Sequence, residues 1–241
     1  MHRMVQNATF FSFHVGGELP TPNREAGGEA MDRRPEGVDH LIVGAPDLEG
    51  GVEAVERRLG ARPAVGGRHP QYGTRNALLA LDAETYLEVM APDPELAAPD
   101  RGRLFRLEEL DGPRLVAWAL RREDIGAAAA RARDRGVALG PVREGSRQQP
   151  DGTSLTWRLT DPYATPAGGV VPFLIAWGET PHPARDAPEG GSLTELRAEH
   201  PDPESVREDL GSLGVEIRVE EGDRPRLVAT IRTGRGAVDL R

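Results

Sequence analysis

A short unit recurs three times along the chain at nearly constant spacing, and this repetition constrains the fold more than any other feature. In each unit an aspartate stands where a helix should begin and a glycine where it should end. The aspartates are 77 and 78 residues apart, and the glycines are 76 and 78 residues apart. Because repeated units bury their apolar faces against one another, we expect a ligand site in a cleft between them. The repeated residues are Asp47, Asp124 and Asp202, and Gly60, Gly136 and Gly214.

The residues around each helix predict strands, and the order in the first unit is βαβββ. Apolar runs predict strands over 38–43, 76–81 and 85–90, with a short strand at 64–65. Asp47 is a typical N-cap and Gly60 a typical C-cap. The second unit predicts strands over 115–120, 155–159 and 170–177 around a helix over 124–135. The third predicts strands over 193–198, 215–219, 227–231 and 237–240, with a helix that begins at Asp202.

Segments rich in proline and glycine divide the chain into three parts. We interpret residues 1–36 as a disordered N-terminal extension. Residues 37–182 form one domain of two modules, module one over 37–98 and module two over 113–182. Residues 191–241 form a third, shorter βαβββ-like module. One face of such a module stays apolar, so two modules side by side should form a curved sheet with helices outside and a cup inside.

Composition excludes several classes of function. The chain has no Cys, which rules out disulfides, thiolate nucleophiles and iron–sulfur clusters. All of its basic residues are Arg, which rules out a catalytic lysine. The net charge of −9 and the lack of a basic stripe argue against nucleic acid. No apolar run approaches the roughly 20 residues of a membrane span. We therefore expect a cytoplasmic protein that neither binds nucleic acid nor enters a membrane.

Several stretches together carry a resemblance to a known family. The chain resembles the vicinal oxygen chelate superfamily and, within it, the glyoxalase-like domain proteins. The resemblance implies an α+β fold of repeated βαβββ modules, the glyoxalase/bleomycin resistance/dihydroxybiphenyl dioxygenase-like fold. It makes residues 37–182 the glyoxalase-like domain. The matching stretches are VDHLIV (38–43) with PDL (46–48), GTRNALL (73–79), YLE (86–88) with APD (91–93), PFLI (172–175), WG (177–178) and HP (182–183).

The resemblance also implies a divalent metal held by the first and last strands of each module. Module one supplies His40 and Glu88 at those positions, and their side chains suit such a metal. Module two supplies no ligand, so fewer than the usual three protein ligands are present. Glu195 and Asp239 match these positions in module three, and they would complete the site if module three pairs with module one. The alternative makes both of them solvated carboxylates at a sheet edge.

Other residues are candidates for contacting a substrate or for catalysis. His40 and Glu88 would be catalytic; otherwise His40 is a buried, hydrogen-bonded histidine and Glu88 an ion-pair partner of Arg75. Arg75 and Asn76 begin a strand that should line the cup, and Arg75 could bind a substrate carboxylate or phosphate. A surface salt bridge is the alternative for Arg75. His69 lies in a loop that either covers the cup or is solvated, and Trp177 belongs to the cup wall or the core.

Three functions stay open. The first is an enzyme that uses a cation on His40 and Glu88 for isomerase or lyase chemistry on a small oxygen-rich metabolite. Ring-opening dioxygenase chemistry fits less well, because the matching positions do not provide two histidines and a carboxylate. The second is a metal-free protein that binds or sequesters a small molecule. The third is a scaffold for oligomerisation, and two copies of the chain could pair as a homodimer.

Overall fold

The computed structural model describes residues 34–148, 152 and 154–241. The predicted extension 1–36 therefore lies outside the described residues except for its last three. Within the described part of the chain, no helix is long and apolar enough to cross a membrane.

Module one has the predicted βαβββ order. Its helix begins where the Asp47 side chain accepts a hydrogen bond from the Gly50 amide and ends at Gly60, whose φ of 79° is left-handed. Apolar residues at helical spacing cover one face of that helix, and this face is buried against the sheet. The elements are β1 (Val38–Gly44), α1 (Leu48–Leu59), β2 (Ala64–His69), β3 (Thr74–Ala80) and β4 (Tyr86–Pro92).

Module two repeats this order, with two differences from the prediction. A strand that the sequence analysis missed runs through REGSRQ, which lacks any apolar alternation. The last strand covers Phe173–Ala176 instead of the predicted 170–177 and follows a helical turn over Pro166–Gly169. The elements are β5 (Arg114–Arg121), α2 (Ile125–Asp134), β6 (Arg143–Gln148), β7 (Ser154–Leu159) and β8 (Phe173–Ala176).

The strands of modules one and two form one sheet that closes into an eight-stranded barrel. Its strand order is β1-β4-β3-β2-β6-β7-β8-β5, so the modules meet at two seams. At the first seam, β1 runs antiparallel to β5 over most of its length. At the second, β2 pairs with β6 through Arg68 and Gln148. The predicted α+β class and curved sheet are confirmed, and the sheet closes fully on itself.

Module three forms a separate four-stranded sheet with the order β10-β9-β11-β12. The sequence left open whether this module packs on its own chain or on a neighbouring one. In the structure, it packs on its own chain. Its apolar residues share one buried core with barrel and α1 residues. The Leu115 amide of β5 also donates to the Arg241 carbonyl at 3.0 Å. The elements are β9 (Ser192–His200), α3 (Pro203–Ser212), β10 (Arg218–Glu221), β11 (Arg226–Thr233) and β12 (Gly236–Leu240).

Candidate functional site

The interior of the barrel contains a narrow pocket with mostly apolar walls. Its free space is about 40 Å³, which is room for a few water molecules. Five polar or charged side chains face it, namely His40, His69, Asn76, Glu88 and Arg147. Such a pocket suits a small ligand that is fixed by a few polar contacts. Its aromatic wall consists of Tyr72, Tyr86, Phe105, Trp157, Phe173 and Trp177.

His40 is held in one orientation by its neighbour along β1. Its Nδ1 lies 2.7 Å from Oδ1 of Asp39, and both side chains are buried. Its ring stacks on Tyr86 at a centroid distance of 4.7 Å and meets the edge of Phe173. Because Asp39 accepts the Nδ1 hydrogen, the Nε2 atom is left with a lone pair that points into the pocket. This is the arrangement of a histidine general base with an orienting carboxylate.

Asp39 accepts hydrogen bonds from two further side chains. Trp177 Nε1 donates to Oδ2 at 3.0 Å. His182 Nε2 lies 3.2 Å from the same oxygen, while the Ala184 amide donates to His182 Nδ1. The His182 proton therefore sits on Nε2 and is donated to Asp39. Burial alone would raise the pKa of Asp39, but the hydrogen bonds from His182 and His40 outweigh it and hold that pKa well below its usual value. Asp39 is thus ionised although no part of it is exposed.

Glu88 lies opposite His40 across the pocket. Its Oε1 accepts a hydrogen bond of 2.6 Å from Asn76 Nδ2, and its Oε2 lies 3.7 Å from His40 Nε2. The second distance is too long for a hydrogen bond. A ring nitrogen and a carboxylate therefore lie close together at the pocket without a direct hydrogen bond between them.

His69 completes this polar group from the end of β2. Its Nε2 lies 4.0 Å from Glu88 Oε1, and its Nδ1 lies 3.1 Å from the Thr74 hydroxyl. Burial lowers the pKa of His69 to about 4, against the attraction of Glu88, and the positive charge of Arg147 lowers it further. His69 is therefore neutral near pH 7.

Arg147 is the positively charged residue of the pocket. Its side chain reaches the pocket by passing two glycines of β2. A Cβ on Gly66 would lie 2.8 Å from the Arg147 guanidinium, and a Cβ on Gly67 would lie 2.8 Å from Arg147 Cγ. Any larger residue at either position would push against the arginine. Arg147 is 6% exposed, and Asn76 Oδ1 lies 3.5 Å from its guanidinium.

The family resemblance implies a divalent metal at these polar side chains. Two histidines and a carboxylate do meet here, which the sequence positions alone did not reveal. However, donors about 2.1 Å from one cation lie roughly 3.0–3.4 Å from each other, whereas His40 and His69 stand 3.7 and 4.0 Å from different oxygens of Glu88. Among the described residues, no group of three His, Asp or Glu side chains is arranged to hold a metal ion. These side chains, as they stand, do not fit the implied metal.

The structure brings together five of the eight residues that the sequence marked as candidates. His40, His69, Asn76, Glu88 and Trp177 all line the pocket. Arg75 does not, because side chains alternate along β3 and Asn76 takes the inward position. Among the ion pairs of the described residues, none joins Arg75 to Glu88.

Glu195 and Asp239 lie in the separate sheet of module three rather than at the pocket. Both contact Arg197, whose guanidinium is 2.6 Å from Asp239 and 3.3 Å from Glu195. Within this chain they do not complete a site with His40 and Glu88. All of the roles assigned from the sequence remain predictions.

Four residues of the site were missed by sequence reasoning. Asp39 was passed over because neighbours on a strand normally face opposite sides, but β1 is irregular between Val38 and His40. The signal that could have found it is a carboxylate next to a histidine in an apolar run. Arg147 lies on the strand that was not predicted. The other two are Tyr86 and His182.

The comparisons with known proteins concern the family and the fold. A family model described as a glyoxalase-like domain matches residues 38–214. A search of curated protein sequences finds no significant match. A hypothetical protein from Staphylococcus aureus has a similar structure, with a TM-score of 0.59 and 16% identity over 83% of this chain and 96% of that one. A mutant of 4-hydroxymandelate synthase from Streptomyces coelicolor superposes with a TM-score of 0.50 and 16% identity, over 85% of this chain and 61% of that one.

At such identities the two structures show a shared fold alone. The family model spans most of the chain and covers both barrel modules, the pocket between them and the start of module three. The paired βαβββ modules are the architecture that the sequence resemblance implied. The chain therefore belongs to the glyoxalase-like domain family of the vicinal oxygen chelate superfamily.

Proposed function

We propose that the barrel pocket catalyses proton transfer on a small oxygen-rich metabolite, as an isomerase or lyase of the glyoxalase type. One observation carries this proposal. Asp39 fixes the His40 ring at 2.7 Å, so that the basic Nε2 faces the Glu88 carboxylate across a 3.7 Å gap. A base that is oriented in this way inside a pocket with mostly apolar walls is suited to removing a proton from carbon.

In the proposed step, His40 Nε2 takes the proton from a carbon next to the substrate carbonyl. The C–H electron pair becomes a carbon–carbon double bond, and the carbonyl oxygen gains the negative charge of an enolate. The new imidazolium is stabilised by the ionised Asp39 beside it. In an α-hydroxy carbonyl substrate, Glu88 takes the proton of the hydroxyl on the deprotonated carbon and passes it to the enolate oxygen, so that the negative charge moves to the first oxygen. The imidazolium then returns its proton to the former carbonyl carbon, which gives the isomer with carbonyl and hydroxyl exchanged. If a leaving group departs from the enolate instead, the reaction is that of a lyase.

Tyr86 and Glu88 have separate roles in this step. Burial raises the pKa of Tyr86 well above its usual value, so its hydroxyl stays protonated and can donate to the developing oxyanion. Glu88 accepts the hydrogen of a substrate hydroxyl, and the Asn76 amide at 2.6 Å holds that carboxylate in place.

A second candidate function is binding without catalysis. The aromatic wall and the lack of a three-ligand group among the described side chains favour a metal-free protein that sequesters a small molecule. In that case His40 and Glu88 would serve only as hydrogen-bonding groups for the ligand.

Solvent exchange tests the proposed chemistry directly. The protein is incubated in D₂O with dihydroxyacetone, pyruvate or hydroxypyruvate, and loss of the carbon-bound proton signal is followed by NMR. We expect exchange above the buffer rate for at least one compound and a loss of about 10²–10⁴-fold in His40→Gln. His200→Gln removes a histidine outside the pocket and should leave the rate unchanged.

Metal analysis of protein purified without chelators completes this test. If the wild type binds one metal ion per chain and His40→Ala and Glu88→Ala bind none, then the reaction is metal-assisted and His40 does not act alone in proton transfer. Ligand binding without any exchange in the wild type would leave the sequestering function. Equal exchange in the wild type and His40→Gln would contradict the proposed role of His40.

A further inference from the structure

We propose that Arg147 binds the carboxylate of the ligand, so that the pocket selects small monocarboxylates. This inference rests on the proposed function only in taking the barrel pocket as the substrate site. It names the chemical class of the molecule that the pocket accepts.

The first argument is the charge of Arg147 itself. A guanidinium keeps its positive charge in proteins, and burying a charge without a counterion is unfavourable. Arg147 is 6% exposed, and among the described residues no carboxylate forms an ion pair with it. Its contact with Asn76 Oδ1, at 3.5 Å, is long for a hydrogen bond. The guanidinium of Arg147 therefore has N–H groups available for a ligand in the pocket that it lines.

The second argument is that the one carboxylate facing the pocket is held away from Arg147. Asn76 stands between them, because its Nδ2 donates to Glu88 while its Oδ1 accepts from the Gly67 amide at 2.8 Å and faces Arg147. The amide thus keeps Glu88 beside His40 and leaves the guanidinium for another anion.

The third argument concerns the kind of anion. A guanidinium binds a carboxylate through two parallel hydrogen bonds, and one negative charge balances the one cation. A dianion such as phosphate would add a second negative charge to a pocket that Glu88 also lines, and that carboxylate would repel it more strongly than a monoanion. The narrow pocket favours a small molecule. The aromatic wall accepts an apolar remainder of that molecule.

Paired acids and amides test this assignment. Binding of pyruvate, lactate and benzoate is measured by isothermal titration calorimetry beside pyruvamide, lactamide and benzamide, with inorganic phosphate as a further probe. We expect at least one acid to bind the wild type ten-fold or more tightly than its amide, and phosphate to bind more weakly than that acid. Arg147→Gln should lose this preference, and Arg147→Lys should keep part of it. Arg158→Gln removes an exposed arginine of the neighbouring strand β7 and should bind like the wild type.

The acid–amide comparison in the wild type does not depend on whether any variant folds. Equal binding of acids and amides, binding of none of the acids, or an undiminished preference in folded Arg147→Gln would overturn the assignment. Tighter binding of phosphate would overturn the monocarboxylate class. His40→Gln separates this proposal from the catalytic one. If carboxylates bind in an Arg147-dependent way but no proton exchange occurs, the catalytic proposal is wrong and the carboxylate site stands. If neutral compounds exchange protons but acids bind no more tightly than their amides, the carboxylate site is wrong and the catalytic proposal stands.

Discussion

Asp39 Oδ1 lies 2.7 Å from Nδ1 of His40, and the two residues are direct neighbours on β1. This contact links the stability of the barrel to the chemistry of its pocket, because the same carboxylate is buried, ionised and bound by three side-chain donors. A change at Asp39 should therefore affect both properties.

Asp39→Asn should slow proton exchange by about 10²-fold or more, since the amide no longer stabilises the imidazolium or fixes the His40 tautomer. It should also lower the free energy of unfolding at pH 7 by roughly 2 kcal/mol. Hydrogen bonds lower the pKa of Asp39 in the folded state, so this stabilisation is present above the unfolded pKa of about 4 and is lost as pH falls below it.

Urea unfolding at pH 7, 5 and 3.5 checks that sign. The difference between the wild type and Asp39→Asn should be constant from pH 7 to 5 and smaller at pH 3.5. Asp223→Asn, at an exposed position, should match the wild type throughout. A difference that grows on acidification would contradict the assigned ionisation.

His69 should make the protein less stable in mild acid. Burial lowers its folded pKa to about 4, whereas the unfolded value is 6.5, so the unfolded chain binds the extra proton between these values. The free energy of unfolding should therefore fall as pH decreases through this window, by about 2 kcal/mol between pH 7.5 and 5. His69→Gln, which cannot titrate, should lose this part of the pH dependence in guanidinium unfolding.

The matched comparison is His200→Gln, which replaces a histidine outside the pocket and should keep the wild-type dependence. If His69→Gln shows the same pH dependence as the wild type, then His69 is not the group that is buried in its neutral form.

The sequence was sufficient for the architecture because capping residues and apolar periodicity are local signals. Asp47 and Gly60 mark the ends of α1 in the structure as they do in the sequence. His40 and Glu88 were found through the resemblance to the glyoxalase-like domain proteins, which places metal ligands on the first and last strands of module one. Together with His69, Asn76 and Trp177, they are the five residues named from the sequence that line the pocket.

The rest of the pocket depends on features that the sequence does not display. Arg147 lies on β6, which pairs with β2 and β7 without any apolar alternation, so only the closed barrel reveals it as a strand. Arg75 was named from the sequence as the residue that could bind a substrate carboxylate or phosphate because the inward register of β3 was unknown, and a shift of one residue exchanges the two faces. The closure of the barrel, which depends on residues far apart in sequence, decides whether Arg147 and Arg75 face the pocket.

Trp177 should stabilise Asp39 mainly through its indole N–H. Trp177→Phe keeps an aromatic ring in the pocket wall but removes the 3.0 Å hydrogen bond to a buried carboxylate. We expect a loss of about 1.5–3 kcal/mol in the free energy of unfolding. Trp157→Phe is the matched control, because Trp157 packs on Trp177 at a centroid distance of 5.3 Å and makes no hydrogen bond to Asp39.

Equilibrium unfolding of both variants measures the difference. Trp177→Phe should be the less stable variant, and the gap should stay constant from pH 7 to pH 4, because the lowered pKa of Asp39 keeps the folded carboxylate charged over this range. Equal losses in the two variants would mean that ring packing, rather than the hydrogen bond, explains the effect.

Gly67 should be essential for closing the barrel between its two modules. A Cβ at this position would lie 2.2 Å from the Gln148 carbonyl oxygen and 2.8 Å from Arg147 Cγ. The backbone contact cannot be relieved by turning a side chain, so Gly67→Ala has to separate β2 from β6 at the seam where Arg68 pairs with Gln148. We expect a loss of roughly 1–3 kcal/mol in the free energy of unfolding, as for overpacking in a core.

The same change should move Arg147 and so weaken carboxylate binding more than amide binding. Gly112→Ala is the control, because a Cβ there meets nothing within 4 Å. The free energy of unfolding of this variant should differ from that of the wild type by less than about 1 kcal/mol. Denaturant unfolding and calorimetry on the two variants give both readouts. A Gly67→Ala protein with wild-type stability and wild-type preference for acids would show that the β2–β6 seam yields freely and does not position the arginine.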